Sequence, residues 1–266
     1  MVTTGTFGFL NTLFKTIKDH DIDCVMAAYD AGGNWRKKAN TEYKANREKK
    51  EDAFREEHSF LVETVLPELG IPPVGIKGWE ADDIIGTVTR TLPPGAECYV
   101  LTCDKDLLQL VNDKVKVILF SSVKKTELVD IEGVERHFGV LPHEVGYFKA
   151  IVGDTSDNIT GIKGLGKVTA KKIIVASRES ALPQLDSILL QLPKGHDKFR
   201  ENLELIRLDK NVPDMRWYSS SPPETTETIY GLFKALEFNS FLKETRFINI
   251  CASLRQIGQR PVSTTA

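Results

Sequence analysis

The sequence predicts an α/β protein, a mainly parallel central sheet flanked by helices, continued by a helical region. Three observations carry this. Short apolar runs at residues 24–29, 98–102 and 115–120 are separated by helix-period segments, the pattern of a parallel sheet covered on both faces. Near Ile131 the strand signals stop, and helical periodicity dominates to about Arg207. The 266 residues, 41% hydrophobic and 27% charged, suffice for one large domain or two modest ones and exclude disorder or collagen-like repeats for the whole chain.

In order, Phe7, Leu10, Phe14 and Ile17 mark a first amphipathic helix, without the basic start and continuous apolar block of a secretory signal. A strand over 24–29 ends at Asp30. After a charged stretch, Phe54, Leu61, Val65 and Leu69 repeat at helical spacing up to Gly70 and two prolines. A helix opens at Glu80 with Ile84, Ile85 and Val88 as its apolar face, stopped by Pro93, Pro94 and Gly95. Strands follow over 98–102, running into Asp104, and over 115–120. In the helical region, loops break the pattern at 153–166 and 192–195, and 211–228 reads as an exposed loop. Leu232, Phe233, Leu236, Phe241 and Leu242 mark a further helix. The organisation expected is a core over 1–136, a helical domain over 137–252 and a flexible tail over 253–266.

No apolar run approaches the roughly 18 residues of a membrane span. Four cysteines without CxxC spacing, and five scattered histidines, argue against a zinc site or disulfide scaffold and for a reducing, cytoplasmic setting. The net charge of -2 does not exclude a nucleic-acid partner, because it averages over local fields.

Acids fall where strands end or helices begin: Asp30; Glu80, Asp82 and Asp83; Asp104 and Asp106; Asp154 and Asp157. In an open parallel sheet the carboxyl ends of the strands share one edge, so the fold brings these groups together. Taken singly, each is more often a cap or a loop residue. As a set they repel one another unless cations compensate. Oxygen donors without His or Cys point to Mg²⁺, with Mn²⁺ as a substitute, and two such ions suit phosphodiester cleavage.

Between Arg36 and Arg55 eight basic residues face four acids, a local excess of +4, with Trp35 and Tyr43 available to stack on bases or on each other. A solvated helix explains such a run equally well. More specific is Gly161-Ile162-Lys163-Gly164-Leu165-Gly166-Lys167, followed by Thr169, Lys171 and Lys172. Leu165 can plug into the core while Gly164 and Gly166 bring backbone N–H groups to a phosphate at the start of the next helix. Such a hairpin holds a DNA backbone without reading sequence. It is not a P-loop, since the order Gly-x-x-x-x-Gly-Lys-Ser/Thr is absent.

These residues resemble a family. Tyr29-Asp30-Ala31, Glu42-Tyr43-Lys44-Ala45-Asn46-Arg47, Glu80-Ala81-Asp82-Asp83, Asp104-Lys105-Asp106 and Gly153-Asp154-Thr155-Ser156-Asp157-Asn158, followed by the glycine hairpin, stand in the order of the five-prime nucleases. That family includes the exonuclease domain of bacterial DNA polymerase I, phage exonucleases and flap endonucleases. The resemblance runs from about residue 5 to 246. It implies a PIN-like nuclease core with a helical arch at about 34–58, and a C-terminal helical domain carrying a helix-hairpin-helix (H3TH). Asp30, Glu80, Asp82, Asp83, Asp104, Asp106, Asp154 and Asp157 then resemble the metal-site carboxylates, with Asp30, Asp83 and Asp104 at the catalytic centre. Tyr43, Lys44 and Arg47 resemble the arch residues that grip the five-prime strand, Lys44 and Arg47 offsetting charge on the phosphate. Lys163, Gly164, Gly166, Lys167, Thr169 and Lys171 resemble the DNA-gripping hairpin, at which a potassium ion often bridges to a phosphate.

The implied activity is two-metal, Mg²⁺-dependent 5'–3' exonuclease and five-prime flap cleavage in replication and repair. The enzyme implied is a monomer on flapped, nicked or branched DNA in a bacterial or phage-infected cell, with a polymerase supplied in trans. One departure stands out. The family places a strand ending in Asp-Gly before the first helix, which supplies a further aspartate, and here the sequence starts inside the following loop; residues 247–251 are strand-compatible but no Asp follows closely. A non-catalytic DNA-junction binder, disabled by that missing strand, is therefore the rival expectation. A single-strand ribonuclease with a similar acid-lined sheet is the third.

Overall fold

The computed structural model describes residues 3–48, 51–122, 125–192, 196–208, 210–213, 215 and 220–257. The first helix, α1 (Thr4–Asp19), buries Leu10, Leu13, Phe14 and Ile17. Of the strand expected over 24–29 only β1 (Ala27–Ala28) pairs, in parallel with β2 (Pro73–Val74). Between them lie α2 (Trp35–Ala39) and α3 (Asp52–Phe60), the latter continuing through a wide π turn at Leu61–Val65 into α4 (Leu66–Glu68). Gly70 ends this run at φ 72, and its missing side chain admits the backbone of Ser221; a Cβ there would lie 1.7 Å from that carbonyl oxygen.

Next come α5 (Ala81–Arg90), β3 (Cys98–Thr102), β4 (Val115–Ser122) and β5 (Lys125–Val129). β3 and β4 are parallel, while β5 is an antiparallel edge that the sequence pattern does not announce. Among the described residues β1–β2 and β3–β4–β5 are separate ladders rather than the one continuous sheet expected. Both parallel pairings, and the helices between them, preserve the α/β class.

The helical region holds α6 (Ile131–Phe138), α7 (Val145–Val152), the short antiparallel pair β6 (Gly153–Asp154) and β7 (Ile159–Thr160), then α8 (Lys167–Arg178), α9 (Gln184–Gln191) and α10 (His196–Ile206). Its side chains share one core with β3, β4 and β5. Within it Glu144 is fully buried, held by the Arg178 guanidinium at 2.6 Å and 2.8 Å and by Gln184.

The last helices, α11 (Thr226–Ala235) and α12 (Glu244–Gln256), do not extend that core. Ile229, Phe233, Phe241, Ile250 and Leu254 pack on Leu10, Phe14 and Ile17 of α1, forming a second cluster. Residues 137–252 are thus shared between two cores, because the apolar face of α1 needs a cover that α11 and α12 supply. Residues 247–251, compatible with a strand by composition, are helical. α12 also runs past the expected tail boundary to Gln256, with Ser253 and Leu254 buried; residues 258–266 lie outside the described residues. Nor is 211–228 wholly exposed: Val212 packs with Val74 and Ile84, and Ser220 accepts from the Val25 N–H. No helix among the described residues is long and apolar enough to cross a membrane.

Candidate active site

Asp104 follows β3 directly, and its carboxylate caps the short 3₁₀ turn Lys105–Leu110 by accepting from the Asp106 N–H at 2.8 Å. Asp154 ends β6, and Asp157 lies on the loop between β6 and β7. That loop is pinned at its ends by close backbone packing: a Cβ on Gly161 would lie 2.2 Å from the Val152 carbonyl oxygen. Buried Asn202 on α10 adds a clamp, its amide donating to the carbonyls of Ala150 and Thr160 at 2.9 Å each. One carboxylate oxygen each from Asp106, Asp154 and Asp157 falls within 4.8 Å of the others, a donor set that suits a hard divalent cation.

Glu80, Asp82 and Asp104 form the neighbouring group. Burial, together with the charges of Asp104, Glu80 and Asp106, pushes the Asp82 carboxyl up to about 7, against the pull of Lys44. Burial raises Asp106 as well, to about 6, with Asp104 and Asp154 adding to it and Lys149 opposing. Mutual repulsion of this kind is relieved by cations.

In this structure the cations are side chains. Lys149, near the end of α7, sits between Asp106 and Asp154, 2.5 Å from the latter. Lys44 lies 2.5 Å from Glu80 and 3.8 Å from Asp157, and Arg47 lies 2.6 Å from Asp157. The backbone joins in: the Lys44 N–H donates to the Asp157 carbonyl at 2.9 Å, Asn158 donates to the Glu42 carbonyl, and Asn46 donates to the Thr155 carbonyl. Lys44 and Asn158 both hold left-handed backbone, φ 56 and 58, which non-glycine residues rarely adopt. Segment 42–47 is therefore clasped onto the acidic loop.

Several expectations are corrected. Asp83 is fully buried and faces away from the open acids: both its oxygens are taken by Arg36 at 2.7 Å, and Trp35 Nε1 donates to it at 3.2 Å. It also closes a capping box with Glu80, which fixes its inward direction. Tyr43 is 3% exposed, so it is no stacking platform; its hydroxyl donates to Glu80 or Asp157, at 3.1 Å and 2.9 Å. Trp35 likewise packs internally, between the Arg36 guanidinium at 4.5 Å and the Lys210 ammonium at 4.2 Å. Asp30 is exposed and caps α5 through the Ala81 N–H at 2.8 Å, at the residue preceding Asp82. Of the arch expected at about 34–58, the structure describes the short α2, turns over 41–46 and the first turns of α3, and Lys49 and Lys50 lie outside the described residues.

The glycine turn follows expectation more closely. Leu165 packs against the core, Gly164 takes φ 85, and a Cβ on either Gly164 or Gly166 would meet nothing within 4 Å. Lys163, Lys167 and Thr169 are exposed around this open backbone at the start of α8. Lys171 differs, lying across Gly139 at the end of α6.

Two site residues escaped the sequence reading. Lys149 had a signal, a lone charge in the apolar run of α7. Arg36 had none, being one of eight similar basic residues.

Fold and site define an α/β protein with its acids gathered beside a basic segment. Residues 1–139 match the family model described as the 5'-3' exonuclease, N-terminal resolvase-like domain. The 5'-3' exonuclease of Mycoplasmopsis pulmonis is 34% identical over 77% of this chain and 71% of its own length. DNA polymerase I of Caldicellulosiruptor bescii is 30% identical over 91% of this chain, which spans only 30% of that much longer protein. Among solved structures, the bacteriophage T5 D15 flap endonuclease, in a pseudo-enzyme-product complex with DNA and metal ions, superposes with a TM-score of 0.57. It is 20% identical, with 95% of this chain and 92% of that one covered. The chain belongs to the 5'-3' exonuclease family.

Proposed function

We propose that this protein is a Mg²⁺-dependent 5'–3' exonuclease and structure-specific five-prime flap endonuclease acting on DNA. The observation that carries the reading is the gathering of Asp106, Asp154 and Asp157 within 4.8 Å, with the cations of segment 42–47 already resting on Asp157 and Glu80. Asp106, Asp154 and Asp157 would hold one ion and Glu80, Asp82 and Asp104 a second. When bound, a pair of divalent ions polarises the scissile phosphate and readies water for attack.

The chain's own groups do the rest. Lys44 and Arg47, displaced from the carboxylates, carry their charge onto the phosphate between them and neutralise it. Gly164 and Gly166 offer backbone N–H groups to a phosphate further along the duplex, with Lys163 and Lys167 adding charge, as a helix-hairpin-helix does. Both contacts are to the backbone, so recognition is of structure rather than sequence. The DNA and metal ions of the related phage enzyme complex support this reading. A potassium ion at the hairpin, a monomeric enzyme and a polymerase working in trans belong to the same proposal.

The test is incubation of a five-prime-flapped duplex with Mg²⁺, comparing wild type with Asp154→Asn. Cleavage near the flap junction by wild type alone is expected. Binding without cleavage in either Mg²⁺ or Mn²⁺ would instead identify a junction-binding protein, and preferential cutting of an RNA strand would point to a ribonuclease.

A further inference from the structure

Arg36 is the most completely enclosed positive charge among the described residues, 1% exposed, and each of its N–H-bearing nitrogens is engaged. Nε donates to the Leu205 carbonyl at 2.6 Å; Nη1 donates to Glu80 at 2.8 Å and Asp83 at 2.7 Å; Nη2 donates to Asp83 at 2.7 Å and the Arg207 carbonyl at 3.3 Å. These partners come from two places that the chain must bring together. Glu80 and Asp83 open α5, while Leu205 and Arg207 lie at and just beyond the end of α10, where carbonyls lack helical partners.

We infer that Arg36 is a positioning residue for Glu80, fixing the carboxylate that this chain offers at the edge of its metal site. The inference rests on the proposed metal-dependent function. Glu80 is 7% exposed, and its two oxygens are divided: one accepts from Arg36 and Tyr43, the other from Lys44. The Lys44 side is the side that a metal ion would take over. The Arg36 side faces the interior and stays occupied, so the carboxylate keeps one direction in the metal-free and loaded states alike. A planar fork that also grips Asp83 at two points is suited to this, because its geometry is set before Glu80 joins it. Arg36 cannot reach a substrate from this position. Any effect it has on the reaction passes through Glu80.

The test is direct Mn²⁺ binding, by calorimetry or electron paramagnetic resonance, in the absence of DNA and well below the melting temperature. Wild type, Arg36→Gln, Glu80→Gln and the double variant form a cycle. Loss of about tenfold in affinity is expected for Arg36→Gln, and the same substitution should change little when Glu80 is already Gln. Equal losses in both backgrounds would show that Arg36 supports the fold alone and would overturn the inference. If Glu80→Gln binds Mn²⁺ like wild type, Glu80 is no ligand and the inference fails while the remaining acids keep the metal site. If wild type binds no Mn²⁺, the functional reading itself fails and takes the inference with it. Should Arg36→Gln not fold, Asp83→Asn loosens the same fork from its other end and should give the same Glu80-dependent loss.

Discussion

The acidic cluster and the glycine turn are two candidate DNA-facing regions of one molecule, and they meet the same problem in opposite ways. At the acids, cations are already present: Lys44, Arg47 and Lys149 sit on Glu80, Asp106, Asp154 and Asp157. At the glycine turn, Lys163, Lys167 and Lys172 form no ion pair among the described residues, and the backbone at Gly164 and Gly166 faces open space. On the proposed function, the first region would take up its ligands by exchange and the second by simple addition. The internal cations offset repulsion among the carboxylates and, on the proposed function, would compete with the metal.

The largest effect expected from this contrast comes from Lys44. Lys44→Ala should lower single-turnover cleavage of a flapped duplex on the order of 10²–10³-fold, the usual cost of losing one preorganised charge at a reacting group. The same substitution should tighten Mn²⁺ binding, since an internal competitor is gone. Weaker Mn²⁺ binding in a well-folded Lys44→Ala protein would rule out exchange and make Lys44 a support of the site.

Addition at the glycine turn predicts a different signature. Gly164→Val places a branched side chain at φ 85 and in the space where a phosphate would approach. Affinity for duplex, measured in Ca²⁺ so that binding is read without cleavage, should fall roughly tenfold, about 1.4 kcal/mol, while Mn²⁺ binding to the acids stays unchanged. Replacing Lys163 by Ala should lessen the salt dependence of DNA binding by about one phosphate contact. An unaltered salt slope would remove Lys163 from the interface.

A third difference concerns stability. Filling the acidic site should raise the melting temperature, because an ion that binds only the folded state stabilises it by about 2.7 kcal/mol at a hundredfold excess over its Kd. For a chain of this size that is roughly 5–10 °C. Mg²⁺ with no such shift would mean that the acids do not act as one site.

The two regions were also unequally legible. The glycine turn follows from local chemistry, since Gly164 and Leu165 need only their own backbone freedom and side-chain polarity to be understood. The helices α1 and α5 and the strands β3 and β4 were equally open to reading, because each buries a face at the spacing its geometry requires. Strand β5 was not: Lys125, Thr126 and Glu127 lie on an edge whose side chains stay largely in solvent, so no apolar alternation marks it. The acids were legible as a set but not one by one. Spacing places Glu80 and Asp83 on one face of α5, yet only the capping box and the buried Arg36 decide that Asp83 turns inward and Asp82 stays with the open group. The burial of Tyr43 is not legible for a similar reason, being set by contacts 37 and 114 residues away.

The smallest expected effect is in the pH dependence of the metal-free protein, and there Asp82 and Asp106 differ from Glu144 of the helical region. Asp82, near 7, and Asp106, near 6, titrate above the ordinary carboxylate range of 3.8. Between about pH 4 and 7 these two carboxyls therefore hold more protons in the folded chain than in the unfolded one, and their contribution to stability is lost as pH rises through that window. Glu144 has the opposite sign. Burial alone would raise its carboxyl, but Arg178, the Leu141 N–H and Gln184 outweigh that and hold it below its ordinary value, so its contribution is lost as pH falls. In a chelator-treated sample the melting temperature should drop modestly from pH 5.5 to 8, and Asp82→Asn should flatten that drop. Saturating Mg²⁺ should reverse the slope over the same range, because a bound cation favours the carboxylates that protons would otherwise neutralise. A metal-free melting temperature that rises steadily from pH 5.5 to 8 would mean that these carboxyls do not retain their protons, and that Lys44 and Lys149 neutralise the cluster without them.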